Sequence, residues 1–269
     1  MNKTLVKALL ASAGAALVTQ AANAATTVYT AGDLLLGFQA VSQTTHGPVT
    51  GPNDLVIDIG QASQYYNATT PVTVSGLSLN DINATFTGGF NNLSWAVVGA
   101  NGNGNGVSPL AMWVSAASPS SAYGVLNTFE QNPDRSAIIS VGTGYNGQSS
   151  TVNSSTAVEQ ATSAGNSYAV HMGVNGDLSG GFPANVQQVT GAGFASGGTS
   201  FLDLYQMIPT SGTAGSVRLI GTFELATDGT AGGTSLQFSP VPEPATGSLF
   251  AGAGLLVLLL RQWSTRKQA

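Results

Sequence analysis

Short apolar runs, separated by turns rich in glycine, proline, asparagine and serine, recur along most of the chain. Runs of this length with many aliphatic and aromatic residues favour strands over helices. We therefore predict strands at residues 26–30, 33–41, 54–59, 93–100, 110–116, 137–141, 168–174, 201–208, 216–227 and 234–238. So many short strands with few helices between them indicate an all-β fold.

Two pairs of these runs are separated by sequences that favour tight reversals, and we expect each pair to form a hairpin. The first pair, 93–100 and 110–116, flanks an alternating Asn-Gly repeat at 101–106. The second pair, 216–227 and 234–238, flanks another glycine-rich turn. Asparagine and glycine tolerate positive φ, so both connections can reverse the chain within a few residues.

The best helix candidate in the first half of the chain covers residues 75–86. Ser78 is a candidate N-cap, and Asp81 lies three residues later, as in a capping box. Leu79 and Ile82 then fall on one face of the helix, because residues three or four apart are neighbours on its surface.

The remaining sequence completes the expected architecture as one domain over residues 25–239. Residues 60–66 are compatible with a helical turn, and 151–166 have the composition of an exposed helix or a loop. No repeat of solenoid or propeller length is visible, and no proline- and serine-rich linker divides the body. We predict a single β-sandwich or jelly-roll-like domain with a few short helices.

The N-terminal segment 1–24 has the three parts of a secretory signal peptide. Two lysines precede the apolar run 8–18, and a small-x-small site ends at Ala24. We expect a signal helix here and cleavage between Ala24 and Ala25. The alternative is an uncleaved N-terminal helix, but the run is short and rich in alanine for a span.

Between residues 25 and 239 the charge is strongly acidic, although charged residues make up only 7% of the chain. This stretch holds eleven acidic residues and two basic ones, Arg135 and Arg218, so its net charge is 2 − 11 = −9. Phosphate binding needs clustered Lys and Arg, so we expect no nucleic-acid partner. The chain has no cysteine, which excludes disulfides, thiolate catalysis and Cys-ligated metal.

Catalytic motifs are not visible in the sequence. The two histidines, His46 and His171, do not fall in a metal-binding spacing such as HExxH. No G-x-S-x-G pattern marks a nucleophilic serine. We therefore predict no catalytic residue, no metal site and no cofactor, and we interpret both histidines as structural or solvated.

Two pairs of acids are candidates for the carboxylates of a glycosidase. Asp54 and Asp58 lie four residues apart on one predicted strand and so share a face. Glu130 and Asp134 form the second pair. With few cations available as partners, we expect these acids to be solvated, and glycosidase activity remains the weaker hypothesis.

Other features could bind ligands, although each also fits an ordinary structural role. Oxygen ligands for calcium occur near turns at 80–83 and 175–177, without the full EF-hand pattern. Tyr65, Tyr66 and Tyr145 are expected to be exposed and could stack on sugars.

The C-terminal segment 240–269 combines three features in a fixed order. Pro242, Glu243 and Pro244 precede the uncharged run 245–260, and a basic cluster follows at Arg261, Arg266 and Lys267. The run covers roughly 24 Å as a helix, slightly less than a bilayer core of about 30 Å. Trp263 and Arg261 can extend its reach at the interface, which gives a transmembrane helix at about 245–263 and a basic tail at 261–269.

Positive charges after the apolar run place the tail in the cytoplasm and the body outside. A buried core helix is the alternative interpretation, but a terminal position beside a basic cluster makes it the weaker one. The proline at 244 resists continuation of the helix into the motif 241–244 and favours an extended backbone there.

Motif, apolar helix and basic tail together resemble the PEP-CTERM sorting signal of Gram-negative bacteria, over residues 241–269. The resemblance implies processing by an exosortase, a membrane-embedded protease, at or near Pro242 to Pro244. It also implies a transient inner-membrane anchor with the body in the periplasm, and then transfer to the cell surface or to an exopolysaccharide matrix.

These features predict an exported, non-enzymatic protein with a structural or matrix-interaction role. The alternative is an extracellular β-sandwich that binds or cleaves carbohydrate. A concave face that carries aromatic side chains beside convergent carboxylates would favour this alternative.

Overall fold

The computed structural model describes residues 25–41, 52–101, 110–117, 128–172, 187–210, 213–230 and 233–241. The strands in these residues are β1 (Asp33–Ala40), β2 (Asn53–Gln61), β3 (Val72–Val74), β4 (Leu93–Ala100), β5 (Met112–Ala117), β6 (Ala157–Ala161), β7 (Gln188–Val189), β8 (Gly198–Thr210), β9 (Thr213–Thr227) and β10 (Ser235–Pro240). The helices are α1 (Ala62–Tyr66), α2 (Leu79–Thr85), α3 (Thr128–Tyr145) and α4 (Tyr168–Met172).

All described strands belong to one antiparallel, hydrogen-bonded sheet, so the prediction of a mainly β body is confirmed. The strand order is β3-β10-β9-β8-β5-β4-β1-β2-β6, and β7 pairs separately with β4. Both predicted hairpins are present as the antiparallel pairs β4–β5 and β9–β10. The edge strands of this order are β3 and β6, and β6 borders the candidate functional site.

One face of the sheet encloses the larger hydrophobic core. Phe38 of β1 stacks on Trp95 of β4 with ring centroids 6.5 Å apart. Tyr65 of α1 packs against Phe223 of β9 and Phe238 of β10, at 5.4 and 5.2 Å. All five side chains belong to the same buried cluster. Strands from both ends of the order therefore share one core, and the sheet curls around it.

The opposite face of the sheet packs against α3 and α4 and forms a second core. Leu35 and Val56 contribute from the sheet, and Ile138, Val141 and Tyr145 contribute from α3. The prediction of a strand at 137–141 is wrong, because this segment lies within α3. Its buried positions recur at helical spacing and continue to Tyr145, which gives an apolar stripe that faces the sheet.

Other local predictions differ in outcome. Residues 168–172 form α4 rather than the predicted strand, because Tyr168 and Met172 are buried on one helical face four residues apart. The segment expected to be an exposed helix or loop contains β6. The helix predicted around Ser78 is present as α2, although the Ser78 side chain makes no capping hydrogen bond.

The two ends predicted to be processed lie outside the described residues. This applies to the signal segment 1–24 and to the transmembrane helix predicted at about 245–263. Within the described ranges, none of the helices has both the length and the apolar character needed to cross a bilayer. At the start of the body, only an isolated bridge between Thr26 and Ser149 replaces the strand predicted at 26–30.

Candidate functional site

Four polar side chains form a row across neighbouring strands on the face that packs against α3 and α4. The register pairs Ser94 of β4 with Gln39 of β1, Gln39 with Asp54 of β2, and Asp54 with Gln160 of β6. Side chains alternate along a strand, so Gln39 shares a face with Leu35 in the second core. Exposure is 0% for the first three residues and 7% for Gln160. We call this set the polar row.

Asp54 is the acidic member of the polar row and connects the sheet to α4. Its Oδ2 accepts a hydrogen bond of 2.6 Å from the backbone N–H of Ala169. Its Oδ1 is buried and has no hydrogen-bond partner among the described residues. Burial raises the pKa of the Asp54 carboxyl to about 7, and the bond from Ala169 opposes this shift. Near neutral pH, both protonation states are therefore populated.

The start of α4 is fixed above the polar row by side-chain hydrogen bonds and close packing. Ser167 Oγ accepts from the Val170 N–H at 3.3 Å and donates to the Thr162 carbonyl at 3.0 Å. The Tyr168 ring lies directly on Gly37 of β1, where an added Cβ would be 2.0 Å from the ring. Only glycine therefore fits below the tyrosine. Burial, and secondly the charge of Asp54, raises the pKa of the Tyr168 hydroxyl.

Several polar atoms in this region are buried without partners within the described ranges. They are both amide atoms of Gln39, both amide atoms of Gln160 and the hydroxyl oxygen of Tyr168. By contrast, Ser94 donates its hydroxyl hydrogen to the amide oxygen of Gln187. Leaving a buried polar group unsatisfied costs about 1–3 kcal/mol, so native structures rarely keep several together. The region therefore carries unused hydrogen-bonding capacity.

A cavity of about 370 Å³ lies beside the polar row at the β6 edge of the sheet. Its described lining comes from the C-terminal end of α3 and the turn after it, from β6 and from the turn that precedes α4: Thr143, Gly144, Gln148, Glu159, Gln160, Ala161, Ala164, Gly165, Asn166 and Ser167. Gln160 belongs to both the polar row and the cavity wall. The walls meet closely, since a Cβ on Gly144 would lie 2.3 Å from the Asn166 carbonyl oxygen.

A second group of acids lies further along the same strands. Asp33 accepts hydrogen bonds from the Thr30 N–H and from the Gln61 amide, and Asp58 accepts one from the Gly60 N–H at 2.7 Å. Burial raises the pKa of Asp58 to about 6, and the charge of Asp33 adds to that shift. Within the described residues, no group of three or more His or acidic side chains could hold a metal ion.

The predicted acid pair Asp54 and Asp58 does not have glycosidase geometry. Asp54 and Asp58 do share a face of β2, but four residues of strand separate their Cα atoms by roughly 13 Å. Glycosidase carboxyl groups lie about 5–9.5 Å apart. Both acids are also partly or fully buried rather than solvated. Asp134 is buried in α3, and the side chain of Glu130 lies outside the described set.

Two of the tyrosines expected to be exposed are core residues. Tyr65 and Tyr145 are 2% and 1% exposed, and each donates its hydroxyl hydrogen to a backbone carbonyl. Tyr66 is half-buried and stacks on Trp113 with ring centroids 6.4 Å apart. Stacking of sugars on these three rings is therefore not supported.

The candidate calcium ligands and histidines also have structural surroundings where they are described. Asp81 in α2 is buried, and its Oδ1 accepts a 2.8 Å hydrogen bond from the Asn153 amide. His171 lies in α4, whereas His46 and residues 175–177 lie outside the described ranges.

The sorting residues Ala24, Pro242, Glu243, Pro244, Arg261, Arg266 and Lys267 lie outside the described ranges. Ala25, the first residue after the predicted signal cleavage, lies inside them, and its N–H donates to Ser150 Oγ at 2.9 Å. Sequence reasoning missed Gln39 and Gln160. The sequence did contain a signal for both residues: each is polar but lies an even number of residues from apolar core positions of its own strand, and so shares their face.

Comparison with known proteins gives no relative. No family model matches the chain, and neither a curated protein nor a solved structure is significantly similar to it. The proposed function therefore rests on the chain's own sequence and geometry.

Proposed function

We propose that this chain is an exported, non-enzymatic protein of the cell surface or an exopolysaccharide matrix. It is sorted through its C-terminal segment, which acts as a transient inner-membrane anchor until an exosortase-type protease cuts it. The observation that carries this proposal is the ordered set of Pro242-Glu243-Pro244, apolar run and basic tail, in a chain whose residues 1–24 have the pattern of a secretory signal.

Hydrogen bonds hold the described residues next to both predicted cleavage points. Ala25 and Ser150 exchange hydrogen bonds, with the backbone N–H of each donating to an oxygen of the other. At the other end, the Val241 N–H donates to the Ile220 carbonyl at 3.0 Å.

The architecture of the body supports a scaffold rather than a catalyst. We infer that the curled sheet works as a β-sandwich, because its β1–β2–β4 part and its β8–β10 part face each other across the larger core. Three acids with raised pKa values, Asp33, Asp54 and Asp58, are held by the body's own N–H groups. Their hydrogen bonds join turns and α4 to the strands of the body.

A second candidate function, carbohydrate binding without cleavage, is favoured by one observation. The cavity beside the polar row has walls rich in amide and hydroxyl groups. Carbohydrate cleavage lacks comparable support, because Asp54 and Asp58 are too far apart along β2.

Substitution of the motif acid tests the sorting proposal. Glu243→Ala and wild type are expressed in a host with a cognate exosortase, then fractionated and sized. We expect wild type as a shortened surface product and Glu243→Ala as a longer, membrane-associated form. Glu224→Ala, the same change on β9, is the control and should behave as wild type. Identical migration and distribution of wild type and Glu243→Ala would contradict the proposal.

A further inference from the structure

We propose that the cavity at the β6 edge binds one neutral sugar residue, and that the Gln160 amide recognises its hydroxyl groups. This inference deepens the proposed function, on which it rests for the exported location, because it names the class of matrix component that the body contacts. The site lies between the end of α3, β6 and the turn at 164–167.

The chemistry of the walls selects the ligand class. Gln148, Gln160 and Asn166 offer amides that both donate and accept, and Thr143 adds a hydroxyl group. A sugar ring presents hydroxyl groups of the same dual character around its edge. The described lining contains no cation and includes Glu159, so it disfavours an anionic ligand such as a uronic acid or a phosphate. A volume of about 370 Å³ is at the small end for ligand cavities and suits a single ring.

Gln160 provides the second, independent observation. Its side chain is 7% exposed and lines the cavity, yet its Nε2 and Oε1 have no partner in the part of the chain that the structure describes. The amide therefore has one donor group and one acceptor atom unused, and both atoms are closed off from solvent. Binding requires the Gln160 side chain to turn towards the cavity, where a ligand with a hydroxyl pair would satisfy both atoms. Asp54 of β2 is the cross-strand neighbour of Gln160.

An extended peptide is the competing ligand, since β6 is an edge strand and edges can accept another strand. The structure disfavours this occupant. The carbonyl of Ala157 already accepts from the Thr151 N–H, and that of Ala161 accepts from the Ala164 N–H, at 2.8 and 2.9 Å. Both ends of this five-residue strand are thus engaged, and little of its edge remains for pairing.

The test is ligand-observed saturation-transfer NMR on the full chain in a detergent that contains no sugar. The probes are glucose, galactose, N-acetylglucosamine, glucuronate and a short Thr-Val peptide. We expect at least one neutral sugar to bind more tightly than glucuronate and the peptide. Gln160→Met, which keeps the volume but removes the amide, should weaken that binding about tenfold, as expected for loss of paired hydrogen bonds in a polar site.

Matched variants separate recognition from folding. Gln237→Met, the same change at an exposed position on β10, should bind as wild type. Asn166→Ala, at an exposed position of the wall, should weaken binding about threefold and keeps the test decisive if Gln160→Met does not fold. Thermal unfolding should show Gln160→Met at least as stable as wild type, since an unpaired buried amide is removed.

Three results would overturn the inference: no binding of any neutral sugar, tighter binding of glucuronate or the peptide, or wild-type affinity in both cavity variants. The assay uses purified protein and reports neither sorting nor processing. Its failure is therefore distinguishable from failure of the Glu243→Ala fractionation.

Discussion

Replacing Asp54 with asparagine should change how the stability of the fold depends on pH. Asparagine keeps an oxygen that can accept the hydrogen bond from the Ala169 N–H, but it cannot ionise. In the wild type, the carboxyl is 0% exposed and its pKa is raised by burial to about 7, from an ordinary value of 3.8. The folded state therefore binds this proton more tightly than the unfolded state does.

The sign and size follow from proton linkage. Between about pH 4 and pH 7 the folded state holds the proton on Asp54 and the unfolded chain has released it, so the free energy of unfolding falls as pH rises. The shift is about 3 pH units, and each unit corresponds to about 1.4 kcal/mol, which gives a total of about 4 kcal/mol. Below pH 4 and above pH 8, the contribution of Asp54 should be constant.

The assay is chemical denaturation of wild type and Asp54→Asn at several pH values between 4 and 8. Asp33 and Asp58 also have raised pKa values and act in the same direction, so the difference between the two proteins isolates Asp54. From pH 4 to pH 8, Asp54→Asn should gain up to about 4 kcal/mol relative to wild type. Glu224→Gln changes the net charge equally, at a half-buried position on β9, and serves as the control.

A parallel pH dependence for wild type and Asp54→Asn would refute the reasoning. So would a gain of stability in wild type as pH rises through this range relative to the variant. Either result would mean that the carboxylate at position 54 is better solvated or better paired than its surroundings indicate.

Two further substitutions test the packing around the site and the core. Gly37→Ala places a Cβ against the Tyr168 ring and should lower the free energy of unfolding, measured by chemical denaturation, by about 1–3 kcal/mol. Gly191→Ala is the control, because an added Cβ there meets nothing within 4 Å and should be tolerated. Equal denaturation midpoints for the two variants would contradict the close approach at Gly37. Ser200→Ala removes the acceptor of the 2.9 Å hydrogen bond from Trp95 Nε1 and should lower the free energy of unfolding by about 1–3 kcal/mol. A loss of stability below about 0.3 kcal/mol would show that the indole N–H has another acceptor.

The β-rich body could be predicted because local pattern and burial agree in most strands. In β1, apolar residues occupy successive positions, and both faces of the strand are indeed buried. A strand covered on both faces is expected to lie inside the sheet, where the structure places β1, between β2 and β4. Such a run indicates a strand but does not indicate its neighbours, because pairing depends on contacts distant in sequence.

The helix α3 was missed for a physical reason. The apolar run 137–141 is short enough for a strand, and Pro133 disfavours a helix that continues through it. In the structure, Pro133 lies within α3, and the buried stripe reaches Tyr145. For a short apolar run, the length of the whole periodic segment decides between strand and helix. Polar residues lie between the buried positions of α3, so the segment looks shorter in the sequence than the helix is.

Local sequence can mark Gln39 and Gln160 as polar residues at core positions, but it cannot predict that they join Ser94 and Asp54 in one row. Its four members come from four strands, and Gln39 and Gln160 lie 121 positions apart. They meet only because the register aligns them, and a slip of one residue in any strand would move that strand's member to the other face. Sequence singled out Asp54, but as half of an acid pair with Asp58 rather than as part of a row with two glutamines.

The placement of the chain ends bears on whether a temporary anchor is physically reasonable. A processed protein must keep its fold when its terminal segments are removed. The Thr27 hydroxyl donates to the Tyr145 carbonyl at the end of α3, and β10 is paired on both sides, with β9 and with β3. These contacts lie entirely between Ala25 and Val241, so cleavage at Ala24 and at or near Pro242 would leave each of them intact. The proposed sorting route therefore does not require any of these contacts to break.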